Sequence, residues 1–329
     1  MVSKETLTSA LEQLEQEHRF SGAILVSQDG ETLFEQAYGL ASRQLGVPNV
    51  LATRFHIAST TKMFIAMAAL ILHEQGRLSL QERPATYLPE LASLDRGITV
   101  HHLLSHTAGL QEIYNVPNLR LEAYRVKHEH GVLLPYLVAL PPLFRPGEGW
   151  SYSSTGYILM GYVMEKVTGE ALADLLQRSV LGPLGMTNTG IDFPRWINPG
   201  RAYGHTVEGG QFVNADDDEL SLFEEAPGEL YSTVQDLKIW CDGMFDCPLV
   251  SPATLQLLFT PNGRVDEVRR YGYGWFLAPR FRMHGGETPG FRALIRQYPE
   301  RRLSAILLFN TDHVQPWTIC NAIEPLLAD

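Results

Sequence analysis

Ser59 and Lys62 stand three residues apart in Ser59-Thr60-Thr61-Lys62, and residues at that spacing on a helical turn share a face, so the serine Oγ and the lysine Nζ can meet. A serine hydroxyl is a poor nucleophile until a base takes its proton. Lysine is such a base only if its pKa falls, which apolar surroundings bring about by penalising the charged form. Met63 to Leu72, the apolar run that follows Lys62 directly, supplies those surroundings. A helix amino terminus adds positive partial charge that favours the neutral amine and suits a developing oxyanion. With 17 serines and five lysines, the spacing alone arises by chance in roughly a quarter of such chains. It also describes an N-cap serine beside a lysine whose stem lies along apolar surface while its charge reaches water.

Two further groups strengthen the chemical reading. Gly149-Trp150-Ser151-Tyr152-Ser153-Ser154 precedes a helical pattern and offers a phenol with hydroxyls beside it. A tyrosine near a cationic lysine can relay the serine's proton to a leaving group. Met283-His284-Gly285-Gly286-Glu287 reads as strand, where glycines let a substrate lie against the edge. A backbone N–H after those glycines, with that of Ser59, would make an oxyanion hole.

The elements that must position these groups follow from periodicity. Residues 3–18 carry Leu7, Leu11 and Leu14 at helical spacing. Ala23 to Ser27 and Thr32 to Tyr38 are β-like, and the Asp29-Gly30 pair between them predicts a hairpin. Met63 to Leu72 is apolar on every side, so its helix is buried, stopping near Gly76. Short helical patterns follow at Tyr157 to Val167 and Leu172 to Leu181. Strands return at Tyr271 to Ala278, Arg282 to Gly285, Ala293 to Tyr298 and Leu303 to Phe309, and a helix closes the chain at Trp317 to Leu327. Ala305 to Phe309 is continuously apolar, as befits a strand covered on both faces. This predicts a discontinuous sheet domain, residues 1–83 and 226–329, with a mainly helical domain, 84–225, inserted and the site in the cleft between them.

The 329 residues carry 26 Lys+Arg against 37 Asp+Glu, a formal charge of −11, which disfavours nucleic acid and anionic membrane surfaces as partners. Ten apolar residues are too few to span a bilayer of roughly 30 Å. Cys241, Cys247 and Cys320 form no Cys-x-x-Cys, so neither a disulfide framework nor a zinc cage is expected. Without an apolar leader the expected location is cytoplasmic, though a trimmed leader would look the same.

In order along the chain, Ser59-Thr60-Thr61-Lys62, Tyr152-Ser153-Ser154 and His284-Gly285-Gly286 resemble the three active-site motifs of the penicillin-recognising serine hydrolases. The resemblance is to the branch related to class C β-lactamases, DD-peptidases and β-lactamase-fold esterases. Supporting segments are Leu103 to Leu110, Pro183-Leu184-Gly185-Met186, Leu230-Tyr231-Ser232-Thr233 and Tyr271 to Trp275. The resemblance implies an α+β fold, an antiparallel sheet flanked by helices. It makes Ser59 the acylated nucleophile, Lys62 its base or proton partner, and Tyr152 the second acid/base group, activating the serine or the incoming water. Ser154, His284, Gly285, Gly286 and Glu287 would contact substrate, with the N–H groups of Ser59 and Glu287 as the oxyanion hole. No metal or organic cofactor is implied.

Two positions depart from the class C pattern. Ser154 stands where an asparagine amide usually meets the substrate, and His284 where a lysine attracts a carboxylate. A neutral imidazole offers one donor and no fixed charge, so carboxylate anchoring and β-lactam hydrolysis are weakened. Arg280, Arg282 and Arg292 are candidate replacements, Arg282 on the same strand face as His284. The substrate expected is a small ester. The alternatives are D-aminopeptidase or DD-carboxypeptidase chemistry with weak β-lactamase activity, a transacylase using the same residues, and, from another class, a non-catalytic binding protein. Oligomeric state is not legible.

Other clusters read more simply as structure. His101, His102 and His106 lack a carboxylate or cysteine at ligand spacing and suit a helical turn with one buried histidine. His128-Glu129-His130 and Asp216-Asp217-Asp218-Glu219 read as solvated loops. Gln111 is a candidate for the pocket border, and Tyr114, Trp196, Tyr203 and Phe223 for an acyl pocket or the core.

Overall fold

A computed structural model describes residues 4–94, 97–113, 134–192, 197–215 and 229–328. Its centre is an eight-stranded antiparallel sheet ordered 263–264, 270–271, 276–277, 282–288, 291–298, 303–309, 22–28 and 31–38. The two chain ends meet in it, with Gly22 opposite Phe309 and Gln28 opposite Leu303. The predicted hairpin forms: Asp29 and Gly30 both take positive φ, 52° and 83°, the turn whose twist matches that of its strands.

Side-chain alternation divides the sheet into two faces. Ile24, Val26, Leu294 and Leu307 meet Leu7 and Leu11 of helix Lys4–His18 and Ile319 and Ile323 of helix Pro316–Ala328. Ala23, Leu25, Ile295, Ile306 and Leu308 face the larger core, which holds the central helix Lys62–Glu74. Leu303–Phe309 is buried throughout, as its apolar run requires. Every residue from Lys62 to Leu72 is buried too, between the sheet and helices Ser154–Thr168, Leu172–Leu176 and Pro252–Leu258.

Two elements differ from expectation. Tyr271 to Ala278 is not one strand but two short ones, Arg270–Tyr271 and Phe276–Leu277, folded back at Gly272 to Trp275. Glycine permits the fold-back, because a Cβ on Gly272 would overlap the Leu258 carbonyl and one on Gly274 would crowd the Lys62 carbonyl. The helix expected over Leu172 to Leu181 ends at Leu176, and Gln177–Leu181 continues as a wider π turn ahead of Pro183, which has no N–H to extend the regular ladder. Between residues 84 and 225 the described elements are helices, a two-residue strand Gly190–Ile191 paired with Leu230–Ser232, and a hairpin, His205–Glu208 with Gln211–Asn214, tied to the sheet's end by the His205 N–H to the Asn310 carbonyl. The three cysteines are free. Among the described residues no helix is long and apolar enough to cross a membrane.

Candidate active site

The chain reaches Ser59 from a two-residue strand, Phe55–His56, paired with Leu230–Ser232. The Ile57 N–H bonds to the Leu230 carbonyl, and the Leu230 N–H to Thr61 Oγ1 at 3.0 Å. Ala58 takes a φ of 44°, a left-handed conformation costly for a residue with a Cβ. That sharp turn places Ser59 in a 3-10 turn, Ala58–Thr61, just ahead of the central helix. Lys62 Nζ lies 3.1 Å from Ser59 Oγ and 3.3 Å from Ser154 Oγ. Lys62 is only 7% exposed, so its amine stays inside rather than running out to water. No side chain caps the helix, which removes the N-cap reading of Ser59.

Tyr152 faces the same amine, its ring centroid 5.0 Å from Lys62 Nζ. The loop that carries it rests on residues 106–112. The Ser151 N–H bonds to the His106 carbonyl at 3.0 Å and the Ser153 N–H to His106 Nδ1 at 3.2 Å. Ser153 Oγ and Thr155 Oγ1 donate to the Gln111 carbonyl. The Glu112 carboxylate accepts the Ser154 N–H at 2.8 Å, satisfying an orphan donor at the start of helix Ser154–Thr168 and placing negative charge at its positive end. Gln111 therefore supports the loop through its backbone rather than bordering the cleft, and Glu112 is a residue the motif reading missed.

On strand Arg282–Thr288 the glycines do different jobs. A Cβ on Gly286 would overlap the Ile57 carbonyl oxygen and approach Thr60 Oγ1. Its absence lets the strand lie directly against the Ser59 turn. Gly285 faces the cleft instead. The neighbouring strand Phe276–Leu277 pairs only with Met283 and Arg282, so it leaves the edge of this strand open from His284 onward.

His284 is 1% exposed and fully engaged. Its Nδ1 lies 2.7 Å from the Gly285 carbonyl, which can only accept, so Nδ1 carries the proton and Nε2 accepts from the Tyr271 hydroxyl at 3.2 Å. Burial first, then the charge of Lys62, push its pKa down to about 3, so the ring is neutral. The one donor expected for substrate is thus turned to the protein's own backbone.

The predicted cations do not replace it. Arg282 shares the buried face of His284, as alternation required, but bonds Gln297 Oε1 and the Met244 carbonyl and stacks 3.6 Å over Phe259. Arg292 bonds the Thr288 and Phe291 carbonyls, and Arg280 is exposed beside Glu324. The arginines that do line the cleft are Arg269, held by Asp266 at 2.7 Å, and Arg296, held by Asn321 and Glu324. Neither was singled out in the sequence, because both arrive from elements whose packing onto the site is set in three dimensions. The cleft of about 620 Å³ is lined by Ser59, Tyr152, His284, Gly285 and Glu287 together with Trp317.

The histidines read as structural have separate partners: His101 with the Tyr273 hydroxyl, His102 with Thr99 in a capping box, and His106 with Ser153. His56, behind the serine turn, meets Glu229 at 2.7 Å; burial raises the Glu229 carboxyl, but the imidazole's charge and hydrogen bond outweigh it and hold the group below its usual range. Tyr203 is exposed and outside the cleft. Tyr114, Trp196, Phe223, His128-Glu129-His130 and Asp216-Asp217-Asp218-Glu219 lie outside the described residues.

A family model described as Beta-lactamase matches residues 7–324. The chain is 28% identical over 328 residues to penicillin-binding protein 4* of Bacillus subtilis (strain 168), covering 93% of this chain and 71% of that one. It is 35% identical over 199 residues to esterase EstB of Burkholderia gladioli, covering 56% and 50%. A solved penicillin binding protein from Bacillus halodurans superposes with a TM-score of 0.83 at 25% identity, over 96% of this chain and 98% of that one.

Proposed function

The chain belongs to the β-lactamase family of serine hydrolases, and from that premise we propose that it forms an acyl-enzyme on Ser59 and hydrolyses small, uncharged esters. The observation that carries the proposal is the buried Lys62 amine 3.1 Å from Ser59 Oγ. In its neutral form that amine takes the serine proton as Oγ attacks the ester carbonyl. The N–H groups of Ser59 and Glu287 take the developing oxyanion. Tyr152 passes a proton to the departing alkoxide, which leaves as alcohol and frees the acyl-serine. Water, activated by the same groups, then cleaves the acyl-serine and restores the hydroxyl.

Preference for an uncharged ester rests on how the cations are used. His284 has no free donor, Arg282 bonds the core, and Arg269 and Arg296 are each matched by a carboxylate. A substrate carboxylate would have to displace one of those acids. A second reading rests on Glu287, which lines the cleft with its side chain 49% exposed and its carboxylate only loosely paired, 3.8 Å from Arg292 Nε. A carboxylate there suits the ammonium of an amide with a free amino group, as in D-aminopeptidase chemistry.

The deciding experiment measures initial rates on short-chain nitrophenyl esters, a chromogenic cephalosporin and D-alanine nitroanilide, for wild type and Ser59→Ala. Ester turnover above the other two that vanishes in Ser59→Ala is expected. Preference for the D-alanine amide, weakened by Glu287→Gln, would replace the ester reading with the second one. Ester turnover surviving in Ser59→Ala would remove the assigned nucleophile.

A further inference from the structure

We propose that His106 is the positioning residue for Tyr152, gripping the chain on both sides of the tyrosine while its ring underlies the phenol. The inference rests on the role given to Tyr152 above. Two bonds make the grip. The His106 carbonyl accepts the Ser151 N–H at 3.0 Å, and His106 Nδ1 accepts the Ser153 N–H at 3.2 Å. One residue therefore fixes the backbone before and after Tyr152. The imidazole centroid lies 4.4 Å from that of Tyr152, so the ring is supported as well as the chain.

The backbone of His106 is adapted to this task. It ends helix Val100–Ser105 in a left-handed conformation, φ 60° and ψ 30°, with its own N–H on the His102 carbonyl. That conformation is uncommon for residues other than glycine, asparagine, aspartate and histidine, and costs a residue with a Cβ. It turns the carbonyl and the side chain of one residue toward the same loop. Strain of this kind persists where the surroundings over-determine it.

The side chain is equally constrained. For Nδ1 to accept, the proton must sit on Nε2. Nε2 is buried with no hydrogen-bond partner among the described residues, and the imidazole packs among the rings of Tyr271, Tyr157 and Trp150, at centroid distances of 4.6, 5.2 and 6.0 Å. An N–H among aromatic faces gains only a weak interaction. The acceptor at Nδ1 is thus the polar function the imidazole performs here. Burial and then the charge of Lys62 hold the ring neutral, so the acceptor stays available. A histidine that only filled space would leave an aromatic hydrocarbon as a good substitute. A positioning histidine would not.

The test compares His106→Phe, which keeps a ring and removes the acceptor, with His106→Asn, which suits the left-handed backbone and keeps one. Both are made alone and in a Tyr152→Phe background, with kcat and KM measured on a short nitrophenyl ester. Expected is a loss of about tenfold or more in kcat for His106→Phe, with KM within threefold and most of the loss recovered in His106→Asn. In the Tyr152→Phe background the same change should cost less than about twofold, because the positioned group is already gone. Unchanged kcat in His106→Phe, or an equal loss in both backgrounds, overturns the proposal. If His106→Phe does not fold, His106→Gly takes its place, since glycine also suits the backbone but offers no acceptor; equal rates for Gly and Asn then overturn it. A fully active Tyr152→Phe would overturn the role of Tyr152 itself, a result distinct from failure of the grip.

Discussion

The two halves of the site are held in place by different physics. On the serine side the constraint is contact. Gly286 lies against the Ile57 carbonyl, Gly274 against that of Lys62, and the helix behind Ser59 is buried from Lys62 to Leu72. On the tyrosine side the constraint is a set of hydrogen bonds from one segment, with His106, Gln111 and Glu112 holding Ser151 to Thr155. Contact is short-ranged and admits no added atom, whereas a hydrogen bond survives any substitution that keeps a donor and an acceptor in place. The nucleophile and its base thus sit in a rigid half and the proton relay in an adjustable one.

The largest expected effect comes from adding one methyl group to the rigid half. Gly286→Ala must push strand Arg282–Thr288 off the Ser59 turn, and a displacement near 1 Å at reacting groups costs about a hundredfold in rate. Ester kcat/KM and a thermal melt on the same preparation check this. A variant within threefold of wild type would show that the contact is soft and that the contrast between the halves fails.

Acid comes next. His284, with its pKa held near 3 against an ordinary 6.5, is neutral when folded and titrates normally when unfolded, and His106 shifts the same way. Between those values the unfolded chain binds protons that the folded chain refuses. Stability is therefore whole above about pH 6.5 and falls as pH drops toward 3, by up to about 1.4 kcal/mol per pH unit for each histidine. Denaturant melts from pH 7 to 4 should show His284→Gln with a shallower decline than wild type. Parallel curves would mean that His284 is not the titrating group.

A smaller effect is expected from the adjustable half. Glu112→Ala removes the acceptor for the Ser154 N–H and should cost about 1 kcal/mol of stability with a several-fold fall in kcat, while Glu112→Gln, which keeps a carbonyl oxygen there, should restore most of both. If Gln were as poor as Ala, negative charge at the helix start rather than the hydrogen bond would be the active ingredient.

Much of this was legible in the chain. The buried helix after Lys62 follows from an apolar run without a polar face, the first hairpin from Asp29-Gly30, and the meeting of Ser59 and Lys62 from helical spacing. What was not legible depends on elements distant in sequence. Nothing local says that Gly286 must admit Ile57, or that the bend at Gly272 to Trp275 brings Tyr271 onto His284. Gly285 and Gly286 look alike in the sequence, yet one borders the cleft and the other packs a turn. Glu112 had a signal, a carboxylate just after the His-Thr-Ala-Gly-Leu segment, but its partner lies 42 residues later.

Arg282 carries the same lesson and the smallest expected effect on turnover. Alternation correctly set it on the face of His284, but a face is not a destination. Helix Val234–Gly243 ends beneath that part of the sheet, and the guanidinium meets the Met244 carbonyl there, as a cation suits a helix carboxy terminus. Stacked on Phe259 and 8% exposed, it is part of the core. Arg282→Met keeps the length and removes the charge. It should lower the melting temperature yet leave the rate ratio between a neutral ester and its carboxylated analogue within about twofold of wild type. A tenfold shift toward the neutral ester would mean that the guanidinium reaches substrate after all, and a carboxylate-bearing peptide would become the better substrate class.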